Sequence, residues 1–425
     1  MKKEFEGKKL LILGGIALAK DIVKYAQNMG AYVVVADYNV DSPAKEVADE
    51  GVLIDATDVK AIVEYCRNAG INGVTTGFND MLMPYCYEVC GQLELPYYAT
   101  PKMLSMAMNK VDFKETCARY DIPVPVTYLV GGNIGSEVYE KIRYPVFVKP
   151  LDASGSRGGG VCNNEEELNV QFAKAVSYSC SGNALIEDYI TGKEFLLDYI
   201  AVGGEFRLLA MFDRYMCSDR DSARNYANIS MAPSKSIDNY LENMNDKVIA
   251  MFKDLGFTDG LIFLQGHTEG NKITFYEMGC RLGGSFYELE QRCIGCNPVE
   301  MVVRYALAGK MVEDIRAISP TVSKFKKYAF SCNYLLKSNG EKIHKIYGLE
   351  KIADLPSYVT SLQHRKEGCC YKKDDIVDKP LISIYLVSDD LKQAKTDIKK
   401  LNESIEALNK DGDSLLMDKY NPDKL

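Results

Sequence analysis

Histidine is scarce in this 425-residue chain: His267, His344 and His364 are its three copies, and none lies near the cysteine pairs Cys86/Cys90 or Cys293/Cys296. A zinc site built on either pair lacks its remaining ligands, and no second cysteine pair at finger-like spacing supplies them. The thirteen cysteines are an odd number spread over a long chain, which speaks for free thiols in a reducing compartment and against a disulfide scaffold. No stretch reaches the roughly 18 to 20 apolar residues of a membrane span. The apolar run "LLILGGIALA" near the N-terminus is broken by a glycine pair and followed by Lys20 and Asp21, without a small-residue cleavage site. It reads as a strand and a turn, not a signal peptide. These absences predict a cytoplasmic protein with no membrane contact. The 51 Lys and Arg are outnumbered by 59 Asp and Glu, for a net charge of −8. No basic run is long enough to track a phosphate backbone, so no nucleic-acid partner is expected and a small-molecule substrate fits better. Internal repeats and low-complexity linkers are missing as well.

What is present is the composition of an ordinary globular chain, 47% hydrophobic and 26% charged. The length implies roughly two to four domains at about 100 to 200 residues each. The first hundred residues alternate apolar runs ("KLLILGG", "AYVVVAD", "GVLIDA", "INGVTTG") with helical periods over about 19–29 and 58–69. Near-continuous Val and Ile runs in a β-α-β rhythm predict a buried parallel sheet. Gly14 and Gly15 open a turn where a nucleotide fits, and Asp37 ends the second strand. "GGIALA" is not G-x-G-x-x-G, however, so the pyrophosphate cradle is incomplete. A Rossmann-like scaffold whose strand ends line a substrate cleft is the better reading.

After Thr100 the pattern changes. A threonine-capped helix with proline behind its cap leads to a second helix, then to the strand "VFVKP", a glycine-rich loop and a helix with acidic first turn. Two hairpins follow, turning at Gly203-Gly204 and at Glu269-Gly270-Asn271, with a polar segment of about 215–240 between them. The last hundred residues read as short strands around tight turns and a charged helix over about 390–408.

Four stretches carry chemistry. The loop "DASGSRGGG", with Ser154, Gly155, Ser156, Gly158 and Gly159, can close backbone N–H groups over phosphate oxygens. It lacks the G-K-[ST] ending of a P-loop, but Lys149 stands three residues before it at a strand end, a point charge suited to a phosphate. In "LIEDYITGKEF", Glu187 and Glu194 flank the apolar hinge Tyr189-Ile190. That spacing suits a nucleoside, with hinge backbone for the base and a carboxylate for ribose hydroxyls. Gln265 and Glu277, twelve residues apart across the second hairpin, can project to one face and offer Mg²⁺ two hard oxygens. Arg281 follows, its planar fork matched to a carboxylate or phosphate.

In this order the stretches resemble the ATP-grasp superfamily: Asn109-Lys110, "VFVKP", the glycine-rich loop, "IEDYITGKE" and "E-x-x-x-R-x-G-G". The likeness covers about residues 8–310, and "HKIYGLEKIADLPSYVTSLQHRKEG" resembles the small C-terminal domain of the biotin-carboxylase and purine-synthesis branch. The resemblance implies an α/β chain with the ATP-grasp fold. It would comprise a Rossmann-like domain (1–115), a nucleotide-binding domain of two α+β subdomains (116–315) and a small mixed α+β domain (316–425). It further implies ATP and Mg²⁺ or Mn²⁺ as cofactors, with Lys110 and Lys149 on the phosphates under the 154–160 loop. Glu187 and the Tyr189-Ile190 backbone would hold adenine, Glu194 the ribose, and Gln265 and Glu277 the metal. Arg281 would steady an acyl phosphate. Arg220, Arg224, Ser285 and Tyr287 are candidates for gripping a substrate carboxylate, near the strand ends at 76–80. The expected partners are a small-molecule carboxylate and an amine, joined as an amide; the alternatives are a bicarbonate-dependent carboxylase or an ATP-binding module without turnover. By analogy with relatives, a homodimer is expected. Gly279 and Cys280 depart from the family's usual Asn-Pro, which leaves the second metal without its asparagine.

Overall fold

The computed structural model of the chain describes residues 3–152, 158–219, 224–284, 286–318, 326–337, 340–370 and 380–425; for 217–219, 224–226 and 317 it describes the backbone alone. Strands β1 (Lys9–Leu13), β2 (Tyr32–Ala36), β3 (Glu50–Val52) and β4 (Gly73–Thr75) form a parallel sheet in the order β3-β2-β1-β4. Its apolar runs are buried on both faces. Leu10, Ile12, Val33 and Val35 pack with helix α1 (Ala19–Asn28), while Leu11, Leu13, Val34 and Ala36 pack with α2 (Val59–Ala69) and α3 (Met83–Leu93). This two-sided burial is why the strands read as continuous apolar runs instead of alternating ones.

Two short helices lead out of this sheet. α4 (Pro101–Met108) starts at Thr100, whose side chain accepts from Met103 N–H, with proline at the first helical position. α5 (Lys110–Arg119) starts at Asn109, whose side chain accepts from Val111 and Asp112 N–H. Each polar cap satisfies donors that a helix start leaves without intrahelical partners. The second sheet is antiparallel, in the order β5-β8-β6-β7: β5 (Thr127–Gly131), β6 (Val146–Pro150), β7 (Gly160–Cys162) and β8 (Ala184–Asp188). The helix Glu165–Tyr178 covers it through Leu168, Phe172 and Ala175.

The third sheet has eight antiparallel strands in the order β13-β12-β9-β10-β11-β14-β17-β16. These are β9 (Lys193–Val202), β10 (Glu205–Asp219), β11 (Arg224–Ala232), β12 (Gly260–Glu269), β13 (Lys272–Gly279), β14 (Tyr328–Leu335), β16 (Tyr358–Gln363) and β17 (Pro380–Ser388). β15 (Lys345–Tyr347) pairs with β18 (Glu406–Leu408) as a separate ribbon. Both predicted hairpins form: Gly203 and Gly204 take φ of +58° and +80°, and Gly270 takes +58°, the left-handed region that tight two-residue turns require.

Two expectations are corrected. The segment read as polar over 215–240 is largely strand, because β10 runs to Asp219 and β11 begins at Arg224. Two of its polar residues, Asn228 and Ser230, are 4% and 2% exposed, and Asn228 Nδ2 donates to Asp418 O at 3.3 Å. Apolar alternation was therefore hidden in the sequence. β11 then pairs with β14 (Ile229 opposite Cys332, Met231 opposite Phe330), so hydrogen bonding runs unbroken across residue 315 into the C-terminal strands. The charged helix spans Leu391–Ser404 and stops short of 408, since β18 takes the chain from Glu406. Among the described residues no helix is long and apolar enough to cross a membrane, and no cluster of three or more His, Cys, Asp or Glu could hold a metal.

Candidate active site

Lys110 and Lys114 lie one turn apart on α5, so both reach the same side of the helix. Lys114 Nζ donates to Thr127 Oγ1 at 3.1 Å and pairs with Glu187, while Lys149 Nζ on β6 pairs with Glu187 Oε1 at 2.6 Å. Lys114 and Glu187 are buried, at 6% and 3% exposure, and Lys149 is half-buried. Burial alone pushes the Glu187 carboxyl up, but the Lys149 and Lys114 charges outweigh it and hold the group below its ordinary range. Burial, then the neighbouring Lys149, lowers Lys110 and is opposed by Glu277 and Glu187; burial likewise lowers Lys114, opposed first by Glu187. Lys110 Nζ also donates to Leu151 O at 3.3 Å. Lys114 is the residue that sequence reading missed. Its signal was the i, i+4 spacing from Lys110.

Ser154, Gly155 and Ser156 lie outside the described residues. At the edge of that loop, Gly158 has φ of +72°, and a Cβ there would lie 2.8 Å from both Pro150 Cγ and Tyr178 Cβ. Gln171 Nε2 donates to Gly158 O at 2.7 Å, and Asp152 accepts from Ser179 Oγ and Ser181 N–H, each at 2.7 Å. The loop's ends are thus fastened to the second sheet and its helix. The hinge Tyr189-Ile190 links β8 to β9, with Tyr189 N–H donating to Pro145 O at 3.3 Å.

On the third sheet, Gln265 and Glu277 are direct cross-strand partners. Both are half-buried, and among the described residues neither side chain makes a hydrogen bond or ion pair. Lys110 lies within electrostatic reach of Glu277, which joins the faces of the two antiparallel sheets. Two oxygen donors beside Lys110 fit a Mg²⁺, which takes a few protein oxygens and fills the rest of its octahedron with other oxygen ligands. Glu194 sits opposite both Arg214 and His267; it pairs with Arg214 and accepts from Tyr276 OH at 2.9 Å. Arg214, a second missed residue, is half-buried; its desolvation lowers its pKa, but Glu194 and its acidic neighbours raise it overall.

Arg281 leaves the end of β13 toward the first domain. Its Nε and Nη2 donate to Asp80 Oδ1 and Oδ2 at 2.8 and 2.7 Å, a bidentate pair. Its guanidinium carbon stacks 4.6 Å from the ring centroid of Phe263. Phe263 is the cross-strand partner of Gly279, and a Cβ at 279 would lie 2.0 Å from Phe263 Cε1. The side chain missing at 279 is therefore replaced by the ring that carries Arg281. Cys280 turns inward, with Sγ to Met103 O at 3.3 Å and its carbonyl accepting from Tyr98 OH at 3.0 Å. Tyr287, expected at a substrate carboxylate, is 4% exposed and donates to Asp21 on α1. Arg224 is described by its backbone in β11; Arg220 and Ser285 lie outside the described residues.

Behind Arg281, Asp198 on β9 and Glu290 on the helix Tyr287–Ile294 are two buried carboxyls at 8% and 2% exposure. A Cβ on Gly283 would touch Asp198 Oδ1 at 2.1 Å. Burial pushes Asp198 up to about 7 against the pull of Arg281. Burial, then the Asp198 charge, pushes Glu290 well above the carboxylate range.

The family described as "Carbamoyl-phosphate synthase L chain, ATP binding domain" matches residues 109–313. A formate-dependent phosphoribosylglycinamide formyltransferase of Sulfurisphaera tokodaii is 24% identical over 361 residues, covering 83% of this chain and 87% of the relative. Among solved structures, an L-amino acid ligase from Bacillus licheniformis superposes with a TM-score of 0.77 at 17% identity, over 95% of this chain and 99% of that one. Phosphoribosylglycinamide synthetase from Anaerococcus prevotii gives 0.73 at 18%, over 95% and 100%. These likenesses establish the fold.

Two outcomes follow from the packing around Arg281. Gly279→Asn in the wild-type background overpacks the Phe263 ring and should cost about 1 to 3 kcal/mol. Phe263→Ala should cost about 3 to 5 kcal/mol. The double variant should lose less than the sum, a favourable coupling of about 0.5 to 3 kcal/mol in urea unfolding; strict additivity would disprove the contact. The second outcome concerns pH. An acid raised by folding keeps its proton in the folded state after the unfolded chain has lost it, so stability falls as pH climbs from 3.8 through about 7. Asp198→Asn removes this dependence. Its unfolding midpoint relative to wild type should therefore rise between about pH 4 and about pH 7.

Proposed function

We propose that this chain, which belongs to the ATP-grasp superfamily, is an ATP-dependent ligase that joins a small-molecule carboxylate to an amine through an acyl phosphate. The observation that carries the reading is the facing arrangement of Lys110, Lys149 and Glu187 on one side and Gln265 and Glu277 on the other, with Arg281 at the strand exit. Relatives' printed names divide over the acceptor: some act on phosphoribosyl compounds, and one on L-amino acids.

The chemistry needs positioning and charge neutralisation more than covalent participation. A carboxylate oxygen of the substrate attacks the γ-phosphorus of ATP. The bond to the β,γ-bridging oxygen breaks and ADP departs. The amine nitrogen then attacks the acyl carbon, the carbon–oxygen bond to phosphate breaks, and the amine's surplus proton passes to solvent. Lys110 and Lys149 hold the phosphate oxygens, and Arg281 faces the charge that gathers on the acyl phosphate. The buried Glu187 keeps Lys149 and Lys114 in place; on this reading it orients the phosphate lysines, and the Tyr189-Ile190 backbone remains for the base. Gln265 and Glu277 would hold Mg²⁺, which supplies Lewis-acid charge at the phosphates when bound. The nucleotide part is assigned to 116–315, between the first domain (1–115) and the C-terminal part (316–425).

Purified protein with MgATP and a panel of carboxylates and amines should release phosphate only when both partners are present, with a product of summed mass less one water. Glu277→Ala should lower that rate roughly 100-fold or more while part of the thermal stabilisation by ATP persists. Phosphate release that requires bicarbonate and ignores other carboxylates would refute the ligase reading in favour of a carboxylase. ATP binding without release for any pair would leave a binding module.

A further inference from the structure

Gly279, Phe263 and Asp198 stand in one row across β13, β12 and β9, and residues directly opposite on neighbouring strands share a face. Asp198 therefore lies beside the ring that carries Arg281. A Cβ at Gly283 would lie 2.1 Å from Asp198 Oδ1, so the carboxyl packs against the backbone that leaves the arginine. From the helix Tyr287–Ile294 comes Glu290, 2% exposed, whose Oε1 is buried with no hydrogen-bond partner among the described residues. Both carboxyls and Arg281 line one cavity of about 10 Å³, and among the described residues Arg281 is the one cation on its lining.

Two carboxylates buried this deeply do not both stay charged unless something neutralises them. A metal ion fits poorly, because Leu209, Leu261, Ile262, Leu282, Phe286 and Pro298 make up much of the lining and leave a cation short of the oxygens it takes. A proton suffices. Burial, then the Asp198 charge, pushes Glu290 well up, and burial pushes Asp198 up to about 7 against the pull of Arg281. Near neutrality Glu290 thus keeps its proton while Asp198 stands between its two forms. The other titratable groups packed around them do not change charge there: Cys280, Cys293, Cys296, Tyr199 and Tyr287 are pushed up by burial and stay neutral. Asp21 accepts from Tyr287 OH, and Asp80 is held by two N–H groups of Arg281.

We infer that Asp198, backed by Glu290, is a positioning residue that takes a proton from solvent when an anion binds to Arg281, so that the arginine offers its charge to the anion without a buried carboxylate opposing it. This rests on the ligase reading, which puts the acyl phosphate at this arginine, and deepens it. Two guanidinium N–H groups go to Asp80 and one to the Leu282 carbonyl at 2.6 Å, which leaves two of the five for an anion. An anion there cancels the positive charge that favours ionised Asp198, and the carboxyl then takes its neutral form. By linkage, anion affinity is highest where Asp198 already carries its proton and falls as pH rises through about 7.

The test uses the full chain saturated with MgADP and takes sulfate as the anion, because sulfate does not titrate near neutrality. Calorimetry in buffers of different ionisation heat counts the protons bound with it. Wild type should take up roughly half a proton per sulfate at about pH 7.5, and its sulfate affinity should fall about threefold to tenfold between about pH 6 and about pH 8. Asp198→Asn should bind sulfate without net uptake and nearly independently of pH, and Arg281→Ala should not bind it. Sulfate binding without uptake, uptake that survives in Asp198→Asn, equal binding by Arg281→Ala, or no saturable binding at all overturns the inference. If either variant does not fold, infrared difference spectra of the wild type decide: sulfate should bring in the C=O band of a neutral carboxyl, and a spectrum without it is equally fatal. These readouts are equilibrium binding and need no turnover, so a chain that never releases phosphate refutes the ligase reading by a separate result.

Discussion

Arg281 is held from three sides, and most of the arrangement around the candidate site depends on that. Asp80, at the end of the first parallel sheet, fixes the guanidinium through two hydrogen bonds. Phe263, on β12 beside the edge strand of the third sheet, supports its face, and Gly279 leaves the ring the space it needs. The strand exit itself is tied to α4 and the segment before it through Met103 and Tyr98. One side chain thereby couples the first domain, the connecting helices and the large sheet. A lysine could not do the same: it has no planar fork to grip Asp80 at two points while stacking on a ring.

Much of this was legible in the sequence, and for identifiable reasons. The parallel sheet was visible because two-sided burial writes continuous Val and Ile runs, and the hairpins because Gly203-Gly204 and Gly270 mark turns with positive φ. The cross-strand partnership of Gln265 and Glu277 followed from hairpin register. What was hidden was tertiary. β11 buries Asn228 and Ser230, and Asn228 finds its partner at the carbonyl of Asp418, 190 residues on, so its polarity looked like a loop. Lys114 and Arg214 gave no motif of their own; each matters through a carboxylate on another element, Glu187 for one and Glu194 for the other. Asp198 and Glu290, 92 residues apart (290 − 198), become a pair only once the helix Tyr287–Ile294 packs behind β9. Gly279 looked like a lost ligand because sequence cannot reveal that a cross-strand phenylalanine fills its place.

The charges divide by position, and this division gives the fold a direction. Lys110, Lys114 and Lys149 gather where the two antiparallel sheets face each other, each with a carboxylate within reach that keeps a buried cation tolerable. The carboxyl ends of β1 to β4 carry aspartates, and the one turn that could cradle an anion already holds Asp37. Arg281 lies between the two zones, bonded to Asp80 on the acidic side and following Glu277 by four residues on the other. An anionic nucleotide is attracted to the end where the lysines gather. The intermediate that bears negative charge would form where a guanidinium is already oriented. Asp80 contributes to this arrangement from the first domain: its two oxygens hold the guanidinium in one orientation before any substrate is bound.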